Sequence, residues 1–248
     1  MYKAERAIIV AAGKGNRMRP VTLERPKPLV EVKGKMMICT VIEALKANGI
    51  DEIYIVTGYL KEQFSILCRM YDGIILLENP WYDSCNNISS LYVAREHLEN
   101  CIITDGDLII NNQEILSAEF ERSGYNCVWT DVPTEEWLLE LENGVVRRCS
   151  RNGGAGGWQL FSVSRWSAED GKRLRRHLEI EFEQKKNHQI YWDDVALFCY
   201  PEEYRLGIRQ MAADDITEID NLYELVEKDK SYAKFMKGEG ENNEGCGK

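Results

Sequence analysis

The 248 residues are 44% hydrophobic and 29% charged, the balance of a chain that can bury a full core in one large domain. A formal net charge of -10 argues against general binding to nucleic acid or to a membrane surface. That charge is uneven, because residues 1–35 hold nine Lys/Arg against three Asp/Glu, a basic island suited to a small polyanionic ligand.

The first apolar run, Ala7-Ile8-Ile9-Val10-Ala11, is short and β-branched and reads as a buried strand. It is too short for a signal peptide, and nothing later approaches a membrane span. Eight cysteines without a CxxC pair, and no His at zinc spacing, read as free thiols in a reducing cytoplasm. The run ends in Ala12, Gly13 and Gly15, followed by Lys14, Arg17, Arg19, Arg25 and Lys27. A strand entering a glycine-bearing basic loop is a phosphate-binding arrangement, since backbone N–H groups cradle the anion and cations neutralise it. The loop matches neither GxxxxGK[ST] nor GxGxxG. Prolines 26 and 28 should hold Lys27 in a rigid, extended segment.

Met37–Asn48 has the apolar spacing of a helix, with Gly49 at its C-terminal cap. Glu52–Gly58 reads as a strand, Tyr59–Tyr71 as a helix and Gly73–Glu78 as a strand. Such alternation predicts a parallel sheet, which binds ligands outside the carboxyl ends of its strands. Asn87–Leu98 reads as a helix, and Cys101–Thr104 as a strand ending in Asp105-Gly106-Asp107. Only one of these two carboxylates need face a ligand. In the second half Tyr125–Thr130 reads as a strand, and Asn143-Gly144 predicts a tight hairpin between Trp137–Glu142 and Val145–Cys149. Asn152–Gly157 is glycine-rich, Gly157–Val163 a strand and Ser167–Lys186 a long amphipathic helix. Tyr191–Asp194 is a short helical piece, Leu206–Gln210 a strand, Ile216–Asp220 extended, and Asn221–Lys228 a helix capped by Asp220 or Asn221. The end of the chain is low in complexity.

The pattern A-A-G-x-G-x-R-M-x-P over Ala11–Pro20, with Pro26-Lys27-Pro28-Leu29, resembles the signature of nucleotidyltransferases that make NDP-sugars and CDP compounds. Gly58–Phe64, the Asn86-Asn87 pair with Ser90-Leu91-Tyr92, Asp105–Asp107, Glu136-Trp137, Tyr191-Trp192-Asp193 and Glu218-Ile219-Asp220 narrow the likeness. Together they resemble the bacterial CTP:phosphocholine cytidylyltransferases; the Gly153–Gly157 cluster and Asp194 depart from that pattern.

The resemblance implies an α/β fold: a single Rossmann-like domain with a mixed, mainly parallel central sheet flanked by helices, plus a small β elaboration on the acceptor side. Residues 1–236 would form it, with the nucleotide bound by about 1–122, the acceptor by about 123–236, and a disordered tail over 237–248. It further implies Mg²⁺-dependent transfer of CMP from CTP to phosphocholine, giving CDP-choline and pyrophosphate. The alternatives are an aminoethylphosphonate or phosphoethanolamine acceptor, a sugar-1-phosphate acceptor, or a nucleotide-sensing domain without catalysis.

By resemblance Arg17 and Lys27 would act on the triphosphate, and Asp107 and Asp220 would hold Mg²⁺. Ala11, Ala12, Gly13, Gly15, Gly58, Tyr59, Asn86, Asn87 and Asp105 would bind the nucleotide. Trp137, Tyr191 and Trp192 would cage a quaternary ammonium beside Asp193, as aromatic faces do. The acceptor's phosphate is already ionised at neutral pH, so no general base is required. His97, His177 and His188 have no partner motif. The expected state is a monomer or homodimer.

Overall fold

The computed structural model describes residues 1–238. Its first half alternates as expected: β1 (Arg6–Ala11), α1 (Met37–Ala47), β2 (Glu52–Thr57), α2 (Ser65–Met70), β3 (Ile74–Glu78), α3 (Ile88–Val93) and β4 (Cys101–Asp105). Then come β5 (Leu108–Ile110), β6 (Gly124–Thr130), β7 (Leu138–Glu142), β8 (Val145–Ser150), β9 (Gly157–Trp166), α4 (Ala168–Glu179), β10 (Gly207–Gln210), β11 (Ile216–Glu218) and α5 (Leu222–Lys228).

The central sheet has nine strands, in the order β8-β7-β9-β4-β1-β2-β3, with β6 joining β9 to β10. β1 runs parallel to β2 and β4, and β2 parallel to β3, while β9 is antiparallel to β4. The sheet is therefore mixed, its parallel part carrying the first half of the chain. From β1 the order steps one way to β2 and the other way to β4. The carboxyl ends of β1 and β4 thus frame the crevice where open α/β sheets bind ligands. Val10 stands opposite Asp105 in that register, so the glycine loop and the Asp105–Asp107 corner are neighbours.

Both faces of β1, β2 and β4 are buried, which explains their unbroken apolar runs. Ala7, Ile9, Ile53 and Ile55 pack on one side against Ile38, Ile42 and Leu45 of α1. Ile8, Tyr54 and Val56 pack on the other with Leu91, Leu174 and Leu178. The hairpin forms as read: Asn143 (φ 51) and Gly144 (φ 73) both take the left-handed backbone that a primed turn needs.

Three expected helices are shorter or broken. Leu60 takes φ 49, so the Tyr59–Tyr71 segment opens as a 3-10 turn over Lys61–Phe64 before α2. Asn87–Leu98 leaves the α conformation after α3 and ends as a 3-10 turn, Arg95–His97. In Ser167–Lys186 the Ser167 side chain caps α4 by accepting from the Asp170 N–H, and the last turn widens to a π turn over Ile180–Gln184. β9 extends to Trp166, beyond the expected Val163, because its final residues pair with β4. Of the expected 237–248 tail, 237–238 close a 3-10 segment, Lys230–Gly238, and the rest lies outside the described residues. Among the described residues no helix is long and apolar enough to cross a membrane.

Candidate active site

The loop after β1 is shaped by packing. Gly15 has φ 60, and a Cβ there would sit 3.0 Å from both Lys27 Cβ and Thr22 Cγ2. Thr22 Oγ1 donates to the Gly15 carbonyl at 2.8 Å and fixes the turn. Gly13 has open space where a Cβ would be. The loop borders a cleft of about 420 Å³, lined by Ala11, Ala12, Gly13, Gly15, Arg17, Lys27, Asn86, Asn87, Asp105, Asp107 and Asp220.

Gly58 and Tyr59 do not line this cleft. They stand behind it and brace the glycine loop, because a Cβ on Gly58 would fall 2.6 Å from Tyr82 Cβ and 2.9 Å from the Ala12 carbonyl oxygen. The Tyr59 N–H donates to that same oxygen at 3.1 Å. Tyr82, Asn79 and Ser89 line the cleft without having been singled out by motif. Their signal was position alone, since they follow the carboxyl end of β3. Asn79 is buried and donates to the hydroxyls of Ser89 (2.9 Å) and Ser90 (3.0 Å).

Lys27 sits at the floor. Pro26 is extended, but Lys27–Leu29 is a 3-10 turn closed by the Leu29 N–H on the Pro26 carbonyl, so the segment is rigid without being extended throughout. The Lys27 ammonium is 2.6 Å from Asp107 Oδ2 and 3.1 Å from Asp220 Oδ1, and Arg17 Nη2 is also 3.1 Å from Asp220 Oδ1. Burial disfavours its charge, yet the two carboxylates overcome this and raise its pKa. Asn221, not Asp220, caps α5, which leaves the Asp220 carboxylate to the cleft.

Asp105 and Asp107 both line the cleft, against the expectation that only one need face it. β4 ends at Asp105, and Gly106 turns the chain over the end of β1 with its N–H on the Val10 carbonyl at 2.9 Å, which keeps both carboxylates at the rim. Burial, then the Asp107 charge, pushes Asp105 up to about 7. Glu218 is pushed up to about 8 by burial, then by Asp220 and Asp107.

This crowding of carboxylates calls for positive charge beyond that of Lys27. Among the described residues no three His, Cys, Asp or Glu side chains converge as a metal site. Two carboxylates on one cation are within what Mg²⁺ takes from a protein, the rest of its shell coming from phosphates and water. Asp107 and Asp220, already converging on one cation, would hold it. Glu218→Gln is expected to raise Tm in EDTA by about 2–4 °C, as relief of roughly 1 kcal/mol of repulsion would in a domain of this size. Thermal scanning checks this, and an unchanged or lower Tm would count against the crowding.

A second cavity of about 290 Å³ shares Arg17, Lys27, Asn87, Asp105, Asp107 and Asp220 with the first and continues to Glu136, Trp137, Tyr191, Asp193 and Glu218. The Trp137 and Tyr191 rings stand 5.7 Å apart at 90°, forming a corner. Asp193 Oδ1 is buried without a hydrogen-bond partner, and burial, then Asp105, holds this carboxyl well above the usual range.

Trp192 is not part of that corner. It is 2% exposed and packs in the core against Tyr125 and Trp166, both with ring centroids 6.2 Å away. Its backbone N–H donates to Asn87 Oδ1 at 2.9 Å, so Trp192 positions the cleft from behind. Asp194, the departure from the family pattern, accepts from the Tyr191 N–H (2.8 Å) and pairs with Arg151 Nη2 (2.5 Å). Arg151 lies 3.9 Å over the Phe198 ring and 5.6 Å from that of Trp137. Neither Arg151 nor Glu218 was given a role by the sequence pattern; Glu218 stood in a motif, whereas Arg151 carried no signal. His97, His177 and His188 line neither cavity.

The model of the MobA-like NTP transferase domain matches residues 7–206. The chain is 38% identical to a 2-aminoethylphosphonate cytidylyltransferase of Lancefieldella rimae, over 93% of this chain and 94% of that one. It is 33% identical to a choline-phosphate cytidylyltransferase of Streptococcus pneumoniae, over 88% and 93% respectively. The solved structure of CTP:phosphocholine cytidylyltransferase from Streptococcus pneumoniae superposes with a TM-score of 0.85 at 32% identity, covering 91% of this chain and 98% of that one. With a phosphate cleft at the β1–β4 crevice and matches over nearly its whole length, the chain belongs to the MobA-like NTP transferase family, as an enzyme of the cytidylyltransferase type.

Proposed function

We propose that the enzyme transfers CMP from CTP to a small phosphonate or phosphate ester bearing a cationic nitrogen, with a 2-aminoethylphosphonate-type acceptor foremost. One observation carries the choice: the acceptor cavity offers two aromatic faces against the carboxylates of Glu136, Asp193 and Glu218. A primary ammonium donates N–H bonds to carboxylates, whereas a quaternary ammonium needs ring faces. With Trp192 in the core the expected three-ring cage loses a wall, which moves phosphocholine to second place. The perpendicular Trp137–Tyr191 pair is what keeps phosphocholine as the second reading.

In the reaction an ionised oxygen of the acceptor attacks the α-phosphorus in line, and pyrophosphate leaves as the bond to the β-phosphate oxygen breaks. Arg17 and Lys27 neutralise charge on the phosphates, and the Gly13–Gly15 loop positions them. Mg²⁺ bound by Asp107 and Asp220 would supply Lewis-acid stabilisation of the same charge. The free thiols among the described residues suit a reducing, cytoplasmic setting.

The test is pyrophosphate release with CTP and, in turn, 2-aminoethylphosphonate, phosphocholine and glucose-1-phosphate. The highest kcat/KM is expected with the aminophosphonate; a higher value with phosphocholine would reverse the order. Trp137→Ala is expected to raise the acceptor KM about tenfold, the worth of one lost ring face, with little change for CTP. Trp192→Ala should instead destabilise the fold by about 3–5 kcal/mol, as loss of a core tryptophan does. Unchanged stability in Trp192→Ala would return that ring to the acceptor.

A further inference from the structure

Arg165, near the end of β9, is 2% exposed. Its Nε donates to the Ser117 carbonyl (2.9 Å), Nη1 to Asn126 Oδ1 (2.6 Å) and Nη2 to the Ile115 carbonyl (2.5 Å). A guanidinium has five N–H donors, so one on each terminal nitrogen is left over. Those carbonyls satisfy hydrogen bonds but carry no net charge, and a buried charge is costly unless compensated. Burial, then the like charge of Arg209, pushes Arg165 down to about 9, with no carboxylate acting in the other direction.

Arg165, Arg209 and Arg122 line a cavity of about 820 Å³ together with Glu119, Glu121 and Gln210. Among the described residues none of the three arginines forms an ion pair; Arg209 Nη1 donates to the Glu119 backbone carbonyl at 3.1 Å. Gly124 and Gly207 form part of the wall, their backbones so close that a Cβ on Gly124 would fall 2.0 Å from the Gly207 carbonyl oxygen. The cavity is remote from the catalytic rim. Arg165 pairs with Ile102 near the start of β4, whose last residue, Asp105, lies in the nucleotide cleft. Leu160 and Ser162 of the same β9 line the acceptor cavity.

We propose that this cavity is a second ligand site, which takes a small polyvalent oxyanion carried by phosphoryl or carboxylate groups. Three guanidiniums against two exposed glutamates leave an excess of positive charge, and the free N–H pair on Arg165 suits two oxygens of one anion. The volume is within the range that holds a nucleotide-sized molecule.

Equilibrium dialysis with pyrophosphate in EDTA tests this. The wild-type protein is expected to bind two pyrophosphates, one of them displaced by CTP. Arg122→Ala/Arg209→Ala, which alters residues at the cavity mouth, is expected to retain the CTP-displaceable site and weaken the other at least tenfold. Arg165→Met should do the same, but the double variant keeps the test valid if that protein fails to fold. Citrate identifies the source: competition at the second site points to a carboxylate ligand, and no competition to a phosphorylated one. A single site in the wild type, or two undiminished sites in the double variant, would overturn the proposal.

Discussion

Lys27→Ala is expected to lower kcat by about 10²–10³-fold, the usual cost of one preorganised charge-stabilising donor, while the protein stays folded. Lys27 is nearly buried and shares its ammonium between Asp107 and Asp220. It would need no reorganisation to meet charge developing at an α-phosphate bound over the same floor. Removing it has a second effect. In EDTA two carboxylates would face each other with only Arg17 nearby, so Tm should fall, and Mg²⁺ should recover part of the loss. Steady-state kinetics with circular dichroism, then thermal scans with and without Mg²⁺, make the comparison. A folded variant within threefold of wild-type kcat would sink the assignment.

Asp107→Ala and Asp220→Ala should each cost about 10³-fold or more in Mg²⁺-supported turnover, whereas Asp105→Asn should cost no more than about tenfold. The two former carboxylates come from segments more than one hundred residues apart yet contact one ammonium. That is the convergence a divalent ion requires of two ligands. Asp105 is different: burial and Asp107 push it up to about 7, which favours its neutral form and lessens its charge beside the pair. Mg²⁺ titrations of activity should show a raised metal requirement for the variants at 107 and 220 only. Equal losses at 105 and 107 with none at 220 would overturn the pairing.

The parallel half of the fold was legible because its central strands are buried on both faces, giving short apolar runs that end at glycine or acidic residues on one rim. The hairpin was legible because Asn143-Gly144 has one good backbone solution. Helix boundaries were not, since a positive φ at Leu60 and a π turn after Glu179 are set by tertiary packing. At the site, the glycine loop, Lys27 and Asp220, which the sequence sets far apart, all meet. Trp192 was misread because a bulky ring beside a motif looks the same in sequence whether it faces a cavity or the core. Gly58 was misread for a related reason, as the demand for glycine there comes from Tyr82 and Ala12, not from a ligand. Arg151 could not be found at all: its carboxylate partner Asp194 and the Phe198 ring beneath it lie more than forty residues further along.

Asp220 lies beyond the 7–206 span of the family match, on the short stretch between β11 and α5. Among the described residues it is also the last, in the order of synthesis, to reach either cavity. A growing polypeptide therefore carries the glycine loop, Lys27 and Asp107 long before the second carboxylate emerges from the ribosome. Until β11 pairs with β5 and brings Asp220 onto Lys27, a nascent chain lacks the paired carboxylates. That pair stands apart from the central sheet, so a folded sheet alone does not complete the floor of the cleft.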